Sequence, residues 1–333
     1  MLKRETAKYW FAGAALMATF LFGLWIGAFF FDFNSDKDGN SEIRLGTSGN
    51  NLTNPLLECE IGGNTIGSQK IDFTSDLENF TNQLKPKLGV SSLSVYFRDL
   101  NNGPISNING TDHFAPASLL KVPVLIAYLK WSEEQAGVLD EKIYYEKSVN
   151  VGYQQQFAPA VPLELGKEYT ARELLEYMTK YSDNQALILL FKRLPFHYQE
   201  ELYMLLGVDP KLITDPTAEL TIRQYSIFFR VLFNASFLSR TNSEYALHLL
   251  TQTTFEEGVR AGVPVQYQVA HKFGERKTSG GLQQFHDCGI VYYPNHPYLL
   301  CVMTRGTDVK SLISSIAQTS QYVYQKIDEQ YGK

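Results

Sequence analysis

Ser118 and Lys121 stand three residues apart in Ala117-Ser118-Leu119-Leu120-Lys121, which leads into the apolar run VPVLIAYLK. Residues three apart on a helix share a face, so the amine reaches the hydroxyl. A neutral Lys121 can take the Ser118 proton as the oxygen attacks a carbonyl. Pro116 and the helix start also bring Ser118 close to backbone N–H groups that favour a developing oxyanion. A Ser-x-x-Lys spacing arises roughly once by chance in a chain of this length. Alone it describes an ordinary helix start equally well.

Two further clusters carry polar groups of the right type. Tyr181-Ser182-Asp183-Asn184 follows ARELLEYMTK and breaks an otherwise helical stretch, as happens where function overrides local propensity. Ser182 can relay a proton between Lys121 and a leaving group, and Asn184 can hold a substrate amide or the lysine. The bland reading is a helix cap or an interhelical turn. His271-Lys272-Phe273-Gly274-Glu275 closes the strand pattern QVAHKFGE. Lys272 presents a cation to an anionic substrate and lowers the pKa of Lys121, while Gly274 admits a close backbone approach. By itself it reads as an edge strand entering a turn.

The elements that must position these residues read as mixed α and β. Helical patterns cover 70–88, 117–133, 171–193, 198–206, 222–233, 243–251 and 308–328, and strand patterns cover 93–100, 265–273, 287–293 and 298–304. A strand pair at the start, helices between, and three strands plus a helix at the end predict an α+β fold. Its antiparallel sheet combines both chain ends, with a helical lobe inserted.

Taken together, Ser118-x-x-Lys121, Ser182-Asp183-Asn184 and Lys272-x-Gly274 resemble the ordered motifs of the penicillin-recognising serine enzymes, nearest to the class A β-lactamases. The stretches FAPASLLKVPVLIAYL, YTARELLEYMTKYSDNQALILL and HDCGIVYYPNHPYLLCVMTRG extend that likeness over about residues 72–329. The resemblance implies that Ser118 is the acylated nucleophile and Lys121 its base. It makes Ser182 and Asn184 the proton and substrate network, and Lys272 and Gly274 the opposite wall. The oxyanion hole falls to the N–H groups of Ser118 and Glu275. The implied substrates are β-lactams or peptidoglycan peptides, with no metal and no cofactor.

Two departures stand out. Phe273 occupies the place of a Ser or Thr hydroxyl, and Lys277-Thr278-Ser279-Gly280 is a second, less well framed candidate for that motif. The family's Glu-x-x-x-Asn, whose glutamate activates the deacylating water, is missing from LGVDPKLITDPTAELTIRQY; its one glutamate, Glu219, reads as a surface or capping residue. A D-Ala-D-Ala carboxypeptidase or transpeptidase-like protein and a non-catalytic peptidoglycan- or protein-binding domain are the alternatives. His271 reads as a strand residue bonded to the backbone, and His286 and Asp287 as a local polar contact. Cys288 and Cys301, on successive strands, form either a disulfide or buried thiols, with Cys59 left over. SIFFRVLFN (226–234) reads as helix core.

Composition excludes other classes. Hydrophobic residues at 44% and charged ones at 20% of 333 residues exclude wholesale disorder, and a net charge of −5 excludes a nucleic-acid binder. Three cysteines without clustered Cys/His spacing exclude a disulfide scaffold or a zinc site. Residues 9–31 carry no charge and are long enough to span a bilayer; Lys3, Arg4 and Lys8 precede them and Asp32, Asp36 and Asp38 follow. This reads as an uncleaved anchor rather than a signal peptide, with residues 1–8 cytoplasmic. Residues 32–56 read as a flexible tether and 57–333 as the extracytoplasmic catalytic domain.

Overall fold

A computed structural model describes residues 52–54, 73–101, 104–148, 155–277 and 280–332, all within the compact unit Gly46–Lys333. The expected anchor, most of the tether, Cys59, Thr278 and Ser279 lie outside the described residues. Among the described residues no helix is long and apolar enough to cross a membrane.

Strands β1 (Val90–Asp99) and β2 (Ile105–Ile108) precede two short strands, β3 (His113–Phe114) and β4 (Lys142–Tyr144), which a two-residue period cannot reveal at such lengths. Their partners are β6 (Leu220–Thr221) and β5 (Glu168–Thr170) respectively. Near the C-terminus come β7 (Val269–Lys277), β8 (Gln283–Val291) and β9 (Tyr298–Gly306). The main sheet has the antiparallel order β2-β1-β9-β8-β7, so both chain ends share it and β7 is an edge.

Both faces of this sheet are covered. Leu300 and Val302 pack with Leu77 of helix α1 (Thr74–Leu88) and with Leu312 and Ile316 of the C-terminal helix. Leu299, Cys301 and Met303, alternating with them, face the helical lobe. Double coverage is why YLLCVMT reads as a continuous apolar run.

The lobe contains α2 (Lys121–Glu134), α3 (Ala171–Lys180), α4 (Asn184–Phe191), α5 (Phe196–Leu205), α6 (Lys211–Thr214), α7 (Ile222–Phe233) and α8 (Arg240–Thr251). The last helix, α9, is Val309–Tyr331. The single helix expected over 171–193 is two helices: Ser182 has φ of 54°. Asp183 then caps α4 by accepting from the N–H groups of Gln185 (2.6 Å) and Ala186 (3.0 Å). In α7 the SIFFRVLFN stretch is core, with Phe228, Phe229 and Phe233 buried.

Strand β7 is shifted four residues toward the hairpin from the expected 265–273, and β8 begins four residues before and ends two residues before the expected 287–293. Gly274 looked like a strand end, yet it pairs with His286 inside the ladder. Val265, expected in the strand, is 89% exposed. Cys288 and Cys301 are register partners, with Cα atoms 3.9 Å apart, and are joined as a disulfide.

Part of the expected tether is docked. The N–H groups of Leu52 and Thr53 each donate to the Glu244 carboxylate at 2.8 Å. The Asn54 N–H donates to Phe233 O at 2.7 Å, and Tyr292 donates to Leu52 O at 2.9 Å. Leu52 is buried in the lobe core.

Candidate active site

Ser118 lies in a 3-10 turn, Ala117–Leu120, that runs directly into α2. Ala117, just before it, has φ of 50°, a strained conformation for a residue with a Cβ. The turn is held from two sides. Tyr225 of α7 donates its hydroxyl to Leu119 O at 3.0 Å. Opposite, a Cβ on Gly274 would stand 3.0 Å from Leu119 N and Pro116 O, so glycine lets edge strand β7 press against this turn.

Two buried amines converge on Ser182. Lys121 Nζ donates to Ser182 O at 2.5 Å, to Ser182 Oγ at 3.0 Å and to Asn184 Oδ1 at 2.8 Å. Lys272 Nζ donates to Ser182 Oγ at 2.9 Å and to Phe273 O at 2.9 Å. Burial, and next the neighbouring Lys272 charge, push the Lys121 amine well below its ordinary range. Burial brings Lys272 down to about 7, opposed by the Asp287 and Glu275 carboxylates. An amine held below its ordinary range gives up a proton more readily, which suits Lys121 to the role of proton acceptor once deprotonated. The positive φ of Ser182 aims both its carbonyl and its hydroxyl at these amines.

A segment that sequence reasoning overlooked crosses the mouth of this cluster. Gln155 Nε2 donates to Ser182 O at 3.3 Å on the lobe side. On the sheet side, the N–H groups of Gln156 (2.9 Å) and Phe157 (3.1 Å) both donate to Glu275 Oε1, and Gln156 Nε2 donates to Gln283 Oε1 at 2.8 Å. The Phe157 ring packs edge-on against Phe255, Phe273 and Phe285 at 5.2–5.8 Å. No motif marks this strap; the phenylalanine among polar residues is its only trace in the sequence. Burial raises the Glu275 carboxyl, against the strap N–H bonds and the two lysines, which lower it.

All seven residues singled out for the site, Ser118, Lys121, Ser182, Asn184, Lys272, Gly274 and Glu275, thus come together around one turn, one helix break and one sheet edge. Glu219 is half-exposed, with its carboxylate 3.7 Å from Arg305. Its neighbour Thr221 forms the capping box of α7 with Gln224. The short loop over 206–221 borders a cavity of about 260 Å³ beside Ala117 and Arg276.

His271 departs from expectation: Nδ1 meets the Asp287 carboxylate at 2.9 Å rather than the backbone. Asp287 also accepts the Val259 N–H at 2.8 Å, so the pair braces β7 from behind. His286 does not contact Asp287 as a local pair. It bridges Ala115 O and the Thr304 N–H, each at 3.2 Å, and burial lowers it to about 3, leaving it neutral and structural.

A serine in a strained turn, a buried depressed-pKa lysine and a hydroxyl shared by two amines form an acyl-transfer arrangement. Comparison with known proteins agrees. A family model for the β-lactamase enzyme family matches residues 76–327. A β-lactamase of Proteus vulgaris is 27% identical over 269 residues, covering 76% of this chain and 82% of that protein. The carbapenem-hydrolysing β-lactamase KPC of Klebsiella oxytoca is 25% identical over 235 residues, covering 65% and 76%. A class A β-lactamase from Mycobacterium abscessus shares the fold with a TM-score of 0.64 and 22% identity, over 75% of this chain and 99% of that one. PBP-A superposes with a TM-score of 0.62 at 22% identity, over 77% and 97%.

Proposed function

Because this chain belongs to the β-lactamase enzyme family, we propose that Ser118 is acylated by β-lactams or related cell-wall peptides, on an enzyme anchored in the membrane with its catalytic domain outside the cytoplasm. The observation that carries the chemistry is Lys121, whose buried amine is bonded to Ser182 Oγ and Asn184 Oδ1 and held well below its ordinary pKa. Ser118 Oγ attacks the carbonyl carbon and its proton passes to Lys121 Nζ. The oxyanion lies against the N–H groups of Ser118 and Glu275. Ser182 returns a proton to the leaving nitrogen, the C–N bond breaks, and the acyl group stays on Ser118 as an ester until water removes it.

The anchor at 9–31, the tether and the residue 57 domain start belong to the same proposal. Their support is the uncharged 23-residue span with basic residues before it and acidic ones after. Carbonate-resistant membrane fractionation together with protease accessibility from outside the cell tests them.

A second reading, a slowly deacylating penicillin-binding protein, is favoured by Glu219, the one glutamate of the 206–221 stretch, whose carboxylate is engaged by Arg305 at 3.7 Å. A variant of PBP-A, of the same fold, is described as an acyl-enzyme complex with penicillin G.

Intact-protein mass spectrometry of the full-length chain after brief exposure to benzylpenicillin tests the proposal. The expected result is a mass increase of one penicillin, absent in Ser118→Ala. Its decay over minutes supports turnover, and its persistence supports the second reading. No adduct on the native chain, or one that survives in Ser118→Ala, overturns both.

A further inference from the structure

Side chains alternate along β7, so Lys272, Gly274 and Arg276 share the face that meets the Ser118 turn. Lys272 lies at one end of this row and holds Ser182 Oγ at 2.9 Å. The leaving atom takes its proton through Ser182, so the leaving group lies at that end. The part of the donor that stays on Ser118 extends the other way, past Gly274 toward Arg276. There the chain leaves a cavity of about 260 Å³ between Ala117, the neighbour of Ser118, and the loop over 212–218. A whole drug-sized ligand needs roughly 300–1,000 Å³, so this cavity suits a single substituent. Leu120, Ile213 and Ala218 give it apolar walls, and Arg276 and Asp215 are its charged residues. The Asp215 carboxylate accepts from the Thr217 N–H at 2.8 Å and hydroxyl at 2.6 Å, within its own turn. Arg276, half-buried, donates through Nη1 to Pro216 O at 2.6 Å, which fixes its guanidinium between β7 and the loop. Among the described residues that guanidinium has no carboxylate partner, so the rest of its N–H fork is open to a ligand.

We infer that Arg276 determines specificity: it selects acyl donors that carry a carboxylate on the acyl side, in the part that remains on Ser118. The inference rests on the Ser118 acylation reading and deepens it. A carboxylate entering the cavity meets the planar N–H fork of Arg276 in a charge-assisted, bidentate geometry, while the apolar walls take the carbon atoms beside it. An ammonium at the same place meets a like charge at short range in a partly desolvated site. A carboxylate on the leaving group lies at the Lys272 end of the row and is a separate contact. The covalent step is unchanged: the Ser118 Oγ–acyl bond forms, the C–N bond breaks, and the proton goes to the leaving nitrogen.

The test uses benzylpenicillin, ampicillin and carbenicillin, which differ only in whether one side-chain carbon bears hydrogen, an ammonium or a carboxylate. Second-order acylation rates are read from intact mass for the full-length native chain, Arg276→Gln and Arg276→Lys, at about pH 6.5, where an α-amino group is largely protonated. The native chain is expected to react about tenfold or more faster with carbenicillin than with ampicillin, a difference of about 1.4 kcal/mol, with benzylpenicillin between them. Arg276→Gln, which keeps a donor for Pro216 O, is expected to cut that ratio by about tenfold. Arg276→Lys, a point charge without the fork, should cut it by less. Since the readout is a ratio within each protein, partial misfolding cannot imitate the result. A native ratio at or below unity, or a ratio that Arg276→Gln leaves unchanged, overturns the inference while leaving Ser118 acylation intact. Failure of all three penicillins to form a Ser118-dependent adduct in any of the proteins removes the acylation reading, and the inference with it.

Discussion

Lys272 has a charge that changes within the physiological range, because burial brings its amine down to about 7. It is cationic below that pH and neutral above it. Acylation by a carboxylate-bearing donor such as benzylpenicillin is therefore expected to decline as pH rises through about 7. In Lys272→Arg, where the charge persists, the decline moves beyond about pH 9; kcat/KM against pH is the measurement. The same amine affects stability. Its folded pKa lies below its unfolded one, so the unfolded chain binds more protons across the window from about 7 to 10.5, and stability rises with pH through it. Lys272→Met should accordingly raise Tm relative to the native chain more at pH 6 than at pH 9, while acylation falls about 100-fold or more. Differential scanning calorimetry at the two pH values decides this. Phe273 poses the opposite exchange. Phe273→Ser is expected to lose about 3 kcal/mol of stability by emptying part of the cluster with Phe255, Phe285 and Phe157. It should also speed acylation by benzylpenicillin, because it restores the hydroxyl that the family's third motif offers a substrate carboxylate. Denaturant unfolding and acylation kinetics on the same protein measure both halves.

Among the elements, the strap at 155–157 ties the lobe to the edge of β7. Its two amides donate to one buried carboxylate oxygen and its ring enters the aromatic cluster. Those amides should exchange with solvent about tenfold or more slowly than others in the same loop. Phe157→Ala and Glu275→Ala should each abolish that protection, which residue-resolved hydrogen exchange reads; protection unchanged in both variants would show that the strap is held by something else. The break between α3 and α4 differs in kind. It is covalently local: Ser182 takes a positive φ and Asp183 caps the next helix, so Tyr181-Ser182-Asp183-Asn184 could be recognised in the sequence as an interruption. The strap had no such mark, since its partners Ser182, Glu275 and Gln283 lie 27, 119 and 127 residues away.

At the scale of the whole molecule, the sheet joins the two ends of the chain and the lobe fills the space between, so the site lies where distant segments meet. The domain also extends further toward the N-terminus than its composition suggests. Leu52 is buried, and Glu244 takes hydrogen bonds from both the Leu52 and Thr53 N–H groups. A chain beginning at residue 57 should melt about 3–6 °C below one beginning at residue 46. Glu244→Ala should reproduce part of that loss in the longer chain but none in the shorter, and thermal unfolding of the four proteins checks this. Equal melting of the two lengths would show that the docked segment adds no stability.

What the sequence by itself determined is the local chemistry. The Ser118 to Lys121 spacing on one helix face, the polar break at Ser182, the edge-strand lysine and glycine, and the α+β order of elements all depend on neighbours within a few residues. Periodicity and side-chain type report such neighbours directly. Strand limits around Gly274 were misplaced because a glycine that ends a strand and one that admits a close neighbour look alike until the neighbour, here the Leu119 turn, is in place. Only the tertiary structure decided that Lys121 and Lys272 share one hydroxyl, that burial lowers the Lys272 amine as well, and that Glu275 takes the strap amides. Burial and Coulomb interaction act through space, and the groups concerned are brought together by the sheet and lobe packing rather than by the chain between them.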